Sequence, residues 1–314
     1  MRIGLFVLGV ALMPAWAQQP VAKASRWIEQ TREEPVGTRY KTFQSKTISA
    51  PMSYLLYLPP DYELQTDRRY PVLYWLPGGQ LDQRTGGSVA ATLDRAIREN
   101  KLPPLIIVVP HGPAGSMWTD SRDRKEPVET VIVRDLIPHV DGTYRTITAR
   151  EGRWIEGFSM GGRGAAHLGL EYPELFGAVS ILAGALTGPE FFSKFNNGEM
   201  YHRVFDSNPE YFRQHDPPDV AEKNAATIRG KTLVRILVGD QDTMGNQVPG
   251  FTCYQFNINF HETLERLRIP HEYKVVPGAR HAYQPLYNSL GDSALEFFRR
   301  AAARIQGARF SPGL

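Results

Sequence analysis

Gly157-Phe158-Ser159-Met160-Gly161 sets one serine inside a GxSxG spacing, with small residues where a tight turn leaves no room for side chains. Gly152-Arg153-Trp154-Ile155-Glu156 before it reads as a short strand, and Gly162 to Leu168 after it as the start of a helix. A strand, this turn and a helix together hold a serine Oγ clear of the backbone, open to a carbonyl carbon. A hydroxyl is a weak nucleophile at neutral pH, so it needs a base, and the base needs an acid to orient it.

Both partners occur downstream, each just past a segment that reads as a strand. Leu233 to Val238 ends in Gly239-Asp240-Gln241-Asp242, and Glu272 to Val276 ends in Pro277-Gly278-Ala279-Arg280-His281. Asp242 has the loop length to reach over toward His281, whereas Asp240 lies nearer the strand end. The loop favours Asp242 without excluding Asp240. Of the other histidines, His139 and His167 read as structural or surface residues. His111, at the carboxyl end of a run, is a candidate for the rim of the site, but it precedes the serine. Acyl transfer also needs N–H donors for a tetrahedral oxyanion. Met160 N–H, at the start of the helix, supplies one. Gly79 N–H, in Pro77-Gly78-Gly79-Gln80, supplies the other, with Gln80 as its alternative.

These groups have to be carried on a frame. Tyr70 to Leu76 and Leu105 to Val109 are continuous apolar runs, as expected of parallel strands buried on both faces. Helical periodicity covers Val89 to Asn100 and Val128 to Tyr144, the second with Pro138 expected to bend or interrupt it. Lys41 to Ser49 and Ser53 to Leu58 read as an antiparallel opening pair. Strands Ala178 to Leu182, Leu233 to Val238 and Glu272 to Val276 alternate with helices Phe256 to Leu267 and Ser293 to Ile305. This alternation implies an α/β fold with a mainly parallel sheet flanked by helices, in which ligands bind at the carboxyl ends of the strands.

Two loops stand over that edge. His111 to Pro127 carries Met117, Trp118 and Asp120, which can form an apolar substrate wall with a polar edge. Thr187 to Gly230 is longer than a plain connection needs and is rich in Phe and Tyr, so residues 187–230 are expected to form a small helical cap. Its aromatics can stack on a sugar ring or a phenolic acyl group, although any single one serves more readily to pack the cap onto the body.

Composition narrows the classes. Met1-Arg2, the apolar Ile3 to Leu12 and Ala15-Trp16-Ala17 read as a signal peptide over residues 1–17, too short to span a bilayer comfortably. That leaves an extension over 18–40 and one domain over 41–310. The expected location is outside the cytoplasm, secreted or periplasmic, without membrane insertion. A net charge of +3 without any Lys/Arg block gives no support for nucleic acid. Cys253 is the single cysteine, which rules out an intramolecular disulfide. The absence of CxxC, HExxH and EF-hand spacings leaves a metal or other cofactor without support.

The chain resembles esterases of the α/β-hydrolase superfamily, in the group related to esterase D, feruloyl esterases and bacterial acetyl-xylan esterases. Tyr70 to Gly79, Ser116-Met117-Trp118-Thr119-Asp120-Ser121, Leu136-Ile137-Pro138-His139-Val140 and the elbow with its extra Gly162 carry the resemblance. It runs from about Tyr54 to Phe298. Pro77 departs from the group, whose members often have histidine before the double glycine. The resemblance implies an α/β-hydrolase fold, a Ser159–His281–Asp242 triad, hydrolysis through an acyl-enzyme, and no metal. It does not fix the substrate, because the group spans feruloyl, acetyl, thioester and siderophore-lactone substrates; a small-molecule or carbohydrate ester, carbohydrate-linked or phenolic, is expected. Siderophore lactones, an acyltransferase reaction and, more remotely, a non-catalytic binding role remain as alternatives.

Overall fold

A computed structural model describes residues 26–79, 82–244 and 248–310. The segment read as a signal peptide and Gln80 lie outside the described residues. The chain opens with β1 (Thr38–Ser45) and β2 (Ala50–Tyr57), paired antiparallel with Tyr40 opposite Leu55. Next come β3 (Val72–Leu76), α1 (Gly86–Arg98) and β4 (Ile106–Pro110). A long helix follows in three parts: α2 (Val128–Thr130), a π-helical segment (Val131–Leu136) and α3 (Ile137–Thr143). Then β5 (Arg153–Phe158), α4 (Met160–Glu171) and β6 (Ala178–Leu182) form the central crossover. After them lie α5 (Pro189–Lys194), α6 (Glu199–Phe205), α7 (Pro209–Gln214) and α8 (Pro217–Ile228). The chain closes with β7 (Leu233–Gly239), α9 (Cys253–Arg266), β8 (His271–Val276), α10 (Tyr283–Leu290) and α11 (Asp292–Phe310).

The strands form one sheet in the order β1-β2-β4-β3-β5-β6-β7-β8. β1 and β2 run antiparallel, β2 also against β4, and every other pair is parallel. Every residue of β3, β4, β5 and β6 is buried; β3 and β4 accordingly read as unbroken apolar runs, while β5 carries Arg153 and Glu156 into the interior. Alternate side chains feed two cores. Leu73, Trp75 and Trp154 pack with Leu93 of α1 and Phe297 and Phe298 of α11. Tyr74, Leu76 and Ile155 pack with Ile132 of the π segment, Leu168 of α4, Val220 of α8 and Phe260 of α9. Among the described residues, no helix is long and apolar enough to cross a membrane.

Pro138 does not end its helix, but the regular α-helical turns are interrupted by the π segment just ahead of it. It takes the second position of α3, which opens directly after the π segment; the backbone ahead of it is helical, with Leu136 at φ −67° and Ile137 at φ −59°, and α3 continues past it to Thr143. Proline removes one N–H and crowds the preceding turn. The chain meets that demand with a wider turn instead of ending the helix.

Two charges sit deep between strand and helix. Arg235 of β7 and Glu156 of β5 are 1% and 0% exposed and lie 3.0 Å apart. Arg235 also donates to Ser180 Oγ (3.1 Å) and to the Ala294 carbonyl (2.7 Å), and it stacks 4.5 Å from the Phe297 ring. Tyr287 OH donates to the other oxygen of Glu156. This fully bonded cluster ties β5, β6 and β7 to α10 and α11 directly beneath the strand that delivers Ser159.

Candidate active site

The GxSxG turn is forced by contact. Ser159 adopts φ 58° and ψ −117°, a strained conformation for a residue with a Cβ. A Cβ on Gly157 would lie 2.1 Å from Gly161 O, and one on Gly161 would lie 1.9 Å from Leu76 O. Neither position admits any other residue at this separation. The turn is fixed by Ser159 N–H donating to Leu182 O (2.9 Å) and by Ala185 N–H donating to Ser159 O (3.0 Å).

Three strand ends bring the reacting side chains together. Ser159 Oγ lies 2.8 Å from His281 Nε2. His281 Nδ1 lies 2.8 and 3.0 Å from the two Asp242 oxygens. With Nδ1–H donating to the carboxylate, Nε2 presents a lone pair to the serine hydroxyl. The Asp242 side chain is 0% exposed and the His281 side chain 24%, so the acid is sealed while the base reaches solvent. Tyr254 N–H holds the Asp242 carbonyl at 3.0 Å, and Met244 N–H donates to Asp242 Oδ1 at 3.2 Å. Asp240 points elsewhere. Its Oδ1 accepts from Gly278 N–H at 2.7 Å, bracing the turn that leads to His281. Phe158 packs against the imidazole, ring centres 4.7 Å apart, and Tyr283 packs on Phe158 in turn. Neither ring was expected from the sequence, although Phe158 lies inside the GxSxG motif.

Met160 opens α4, so its N–H belongs to the first turn, which has no partner within the helix. Gly79 lies beside it: a Cβ there would sit 3.6 Å from Met160 Sδ. Gly78, Gly79, Met160, His111 and Trp118 line one small pocket next to the serine turn. His111 thus stands at the rim as expected. Burial holds its imidazole below the usual pKa, against the pull of Glu29 and Asp82. Glu29 Oε2 lies 3.7 Å from His111 Nδ1, so the segment ahead of β1 reaches the site, a contact that no sequence motif announces.

The loop over His111 to Pro127 departs from expectation. Met117 and Trp118 both have positive φ, 58° and 55°, and are 1% and 3% exposed. That backbone turns the Trp118 ring inward against Gly164, where its Nε1–H donates to Pro77 O at 3.1 Å. Trp118 therefore holds the glycine loop from below while its ring still lines the small pocket with His111 and Met160. Asp120, however, is no polar edge. Its oxygens accept from Thr130 N–H (2.9 Å), Thr130 Oγ1 (2.6 Å) and Arg124 (2.7 Å), so it caps the first turn of α2.

Residues 187–230 hold α5, α6 and α7 ahead of α8. Helix α8 packs on α4 and α9 as the crossover between β6 and β7. Phe191, Phe192, Phe205 and Phe212 are buried, which packs the α5–α7 segment into the core. It is clamped to the 111–127 loop by Tyr211 OH donating to Asp120 O (2.9 Å) and Arg122 N–H donating to Val204 O (2.8 Å). Arg163, buried on α4, pairs with Asp216 at 2.7 Å. Cys253 is also buried, with its thiol 3.2 Å from Ala183 O. Burial and then the Asp242 charge raise its pKa well above the usual thiol value, so it stays protonated.

Known proteins share this arrangement of strands and helices. The profile of a family described as "Putative esterase" matches residues 45–295. An endo-1,4-beta-xylanase/feruloyl esterase of Xylanibacter ruminicola is 30% identical over 158 residues, 48% of this chain and 22% of that protein. An esterase of Mycobacterium tuberculosis is 28% identical over 262 residues, 78% of this chain and 56% of that protein. The chain thus spans about a fifth to a half of the length of these curated relatives. A solved ferulic acid esterase superposes with a TM-score of 0.70 at 22% identity, covering 84% of this chain and 97% of that one. An S-formylglutathione hydrolase from Agrobacterium tumefaciens gives 0.66 at 17% identity, covering 84% and 95%. The fold is that of the α/β-hydrolases.

Proposed function

The chain belongs to the "Putative esterase" family, and from that premise we propose that it is a serine carboxylic-ester hydrolase working through an acyl-enzyme. The observation that carries this reading is the unbroken relay from Asp242 through His281 to Ser159, with contacts of 2.8 Å on each side of the imidazole.

Ser159 Oγ attacks the ester carbonyl while its proton passes to His281 Nε2. The resulting imidazolium is stabilised by Asp242, which stays ionised and fixes the ring. Negative charge developing on the carbonyl oxygen is met by the N–H groups of Met160 and Gly79. His281 then gives its proton to the leaving alcohol, and Ser159 carries the acyl group. Water, deprotonated by His281, repeats the sequence and releases the acid.

For the substrate, we favour carbohydrate-linked or phenolic esters, acetyl or feruloyl. The likeness to proteins named feruloyl esterase and ferulic acid esterase supports this class. His111, at the edge of the small pocket beside Gly79, is the polar group placed to meet such a substrate. Export with cleavage after Ala17 is part of the proposal and rests on the pattern of Met1 to Ala17.

Hydrolysis of p-nitrophenyl acetate, butyrate and octanoate and of methyl ferulate by the wild type and by Ser159→Ala tests the proposal. Turnover of acetyl or feruloyl esters that disappears in the variant is the expected result. Turnover that survives in the variant, or folded wild type inert toward every ester, overturns it.

A further inference from the structure

Helix α9 and edge strand β8 bring two imidazoles and a carboxylate together far from the serine. His261 and Glu265 are one helical turn apart, so they share a face of α9. His271 is the first residue of β8, which runs beside β7 at the end of the sheet. One ligand atom from each residue lies within 4.8 Å of the other two.

The orientation of these groups is specific. His271 Nδ1–H donates to the Ile269 carbonyl at 2.8 Å, which leaves a lone pair on Nε2. That lone pair faces His261 Nδ1 at 2.7 Å. A backbone carbonyl that fixes the tautomer of a ligating histidine is a recurrent feature of metal sites. The His271 side chain is 1% exposed, while the Glu265 side chain is 67% exposed, its Oε1 3.9 Å from His271 Nδ1, so closing on a metal held at Nε2 requires the carboxylate to rotate about its exposed stem. The His261 ring is stacked 4.2 Å from Tyr273 at an interplanar angle of 10°. Both helical residues lie in the last turns of α9, where the helix dipole favours a cation.

We propose that His261, Glu265 and His271 form a binding site for a borderline divalent cation, zinc above all. Two imidazoles and one carboxylate are a donor set of the kind zinc takes, with water completing a tetrahedron. Metal–nitrogen distances of about 2.0–2.1 Å require the ligand nitrogens to stand about 3.3 Å apart. From 2.7 Å the rings therefore part by about 0.6 Å. The His261 proton moves from Nδ1 to Nε2 through solvent, and Glu265 closes the third position. The site escapes a motif search because His271 follows the helical pair across a turn instead of along the helix.

A cation here would pin α9 to the edge of the sheet. The opposite end of β8 leads to His281, and the first turn of α9 holds Asp242 through Tyr254 N–H. The effect is bracing, without contact to the reacting atoms.

The test is calorimetric titration of the full chain with Zn²⁺ alone, alongside thermal unfolding with and without the ion. The expected result is one equivalent bound and a rise in Tm. Both are weakened at least tenfold in affinity or lost in His261→Ala and in Glu265→Gln, whose side chains are not part of the core. Ester turnover, if the esterase reading holds, is unchanged by the ion. The competing location is the cluster of Asp242, Cys253 and His281. Binding that survives His261→Ala and disappears in His281→Ala overturns the proposal, as does the absence of binding to the wild type.

Discussion

Replacing Asp242 with asparagine keeps the shape of the side chain and removes its charge. The two oxygens now hold His281 Nδ1 at 2.8 and 3.0 Å, in a position with 0% side-chain exposure that no water can fill as a substitute. An asparagine amide turned to donate to Nδ1 forces the proton onto Nε2, which then faces Ser159 with no lone pair. The same exchange in a serine-protease triad lowers kcat by about 10⁴-fold. That corresponds to about 5.5 kcal/mol of transition-state stabilisation. The matching change at Asp240 removes only a charged acceptor for Gly278 N–H, at 2.7 Å in a solvent-exposed turn. Its cost is about 1 kcal/mol, less than about tenfold in rate. The assay is kcat for p-nitrophenyl acetate with both variants, with circular dichroism to confirm folding. Comparable losses at the two positions, or a larger loss at Asp240, refute the assignment of the acid.

Trp118→Phe keeps the ring in its slot but removes the bond to Pro77 O, so the glycine loop loosens. We expect kcat to fall by about tenfold with KM little changed, as read from steady-state kinetics. Arg235→Met strands the Glu156 carboxylate in the core and is expected to cost about 3–5 kcal/mol in urea unfolding. Burial alone would raise the pKa of Glu129, but the His167 charge and hydrogen bonds from His167 and Tyr172 outweigh it and hold the carboxyl at about 2. Its folded pKa thus lies below the unfolded value of 4.5, so its stabilisation is complete above that pH and is lost as pH falls toward 2. Glu129→Gln should flatten this part of the stability profile in unfolding measured across that range.

Ser159 was legible from the GxSxG spacing, and His281 and the two candidate aspartates from their places just past strands β8 and β7, because chemistry gathers at the carboxyl ends of parallel strands. Deciding between Asp240 and Asp242 needed the path of one short loop, which no periodicity encodes. Asp120 was misjudged for a related reason: the path of its loop turns its carboxylate onto the first turn of α2, while Trp118, at positive φ, keeps its ring on the small pocket. The tolerance of Pro138 came from a widened helical turn, a local response that proline alone does not announce. Glu156 and Arg235 look like surface charges in isolation, and only the register of β5, β6 and β7 sets them face to face with Ser180 between them. Helices α5, α6 and α7 are each too short to show a helical period, so the expected cap over residues 187–230 rested on loop length and aromatic content and did not separate them from α8, which packs on α4 and α9.

The central claim is that Ser159 is an activated nucleophile, and intact-mass spectrometry after treatment with a fluorophosphonate tests it most directly. The account predicts one adduct on the wild type, mapped to Ser159 by peptide sequencing and absent from Ser159→Ala. Folded wild-type protein that takes no label, or an adduct that persists in the variant, would contradict it.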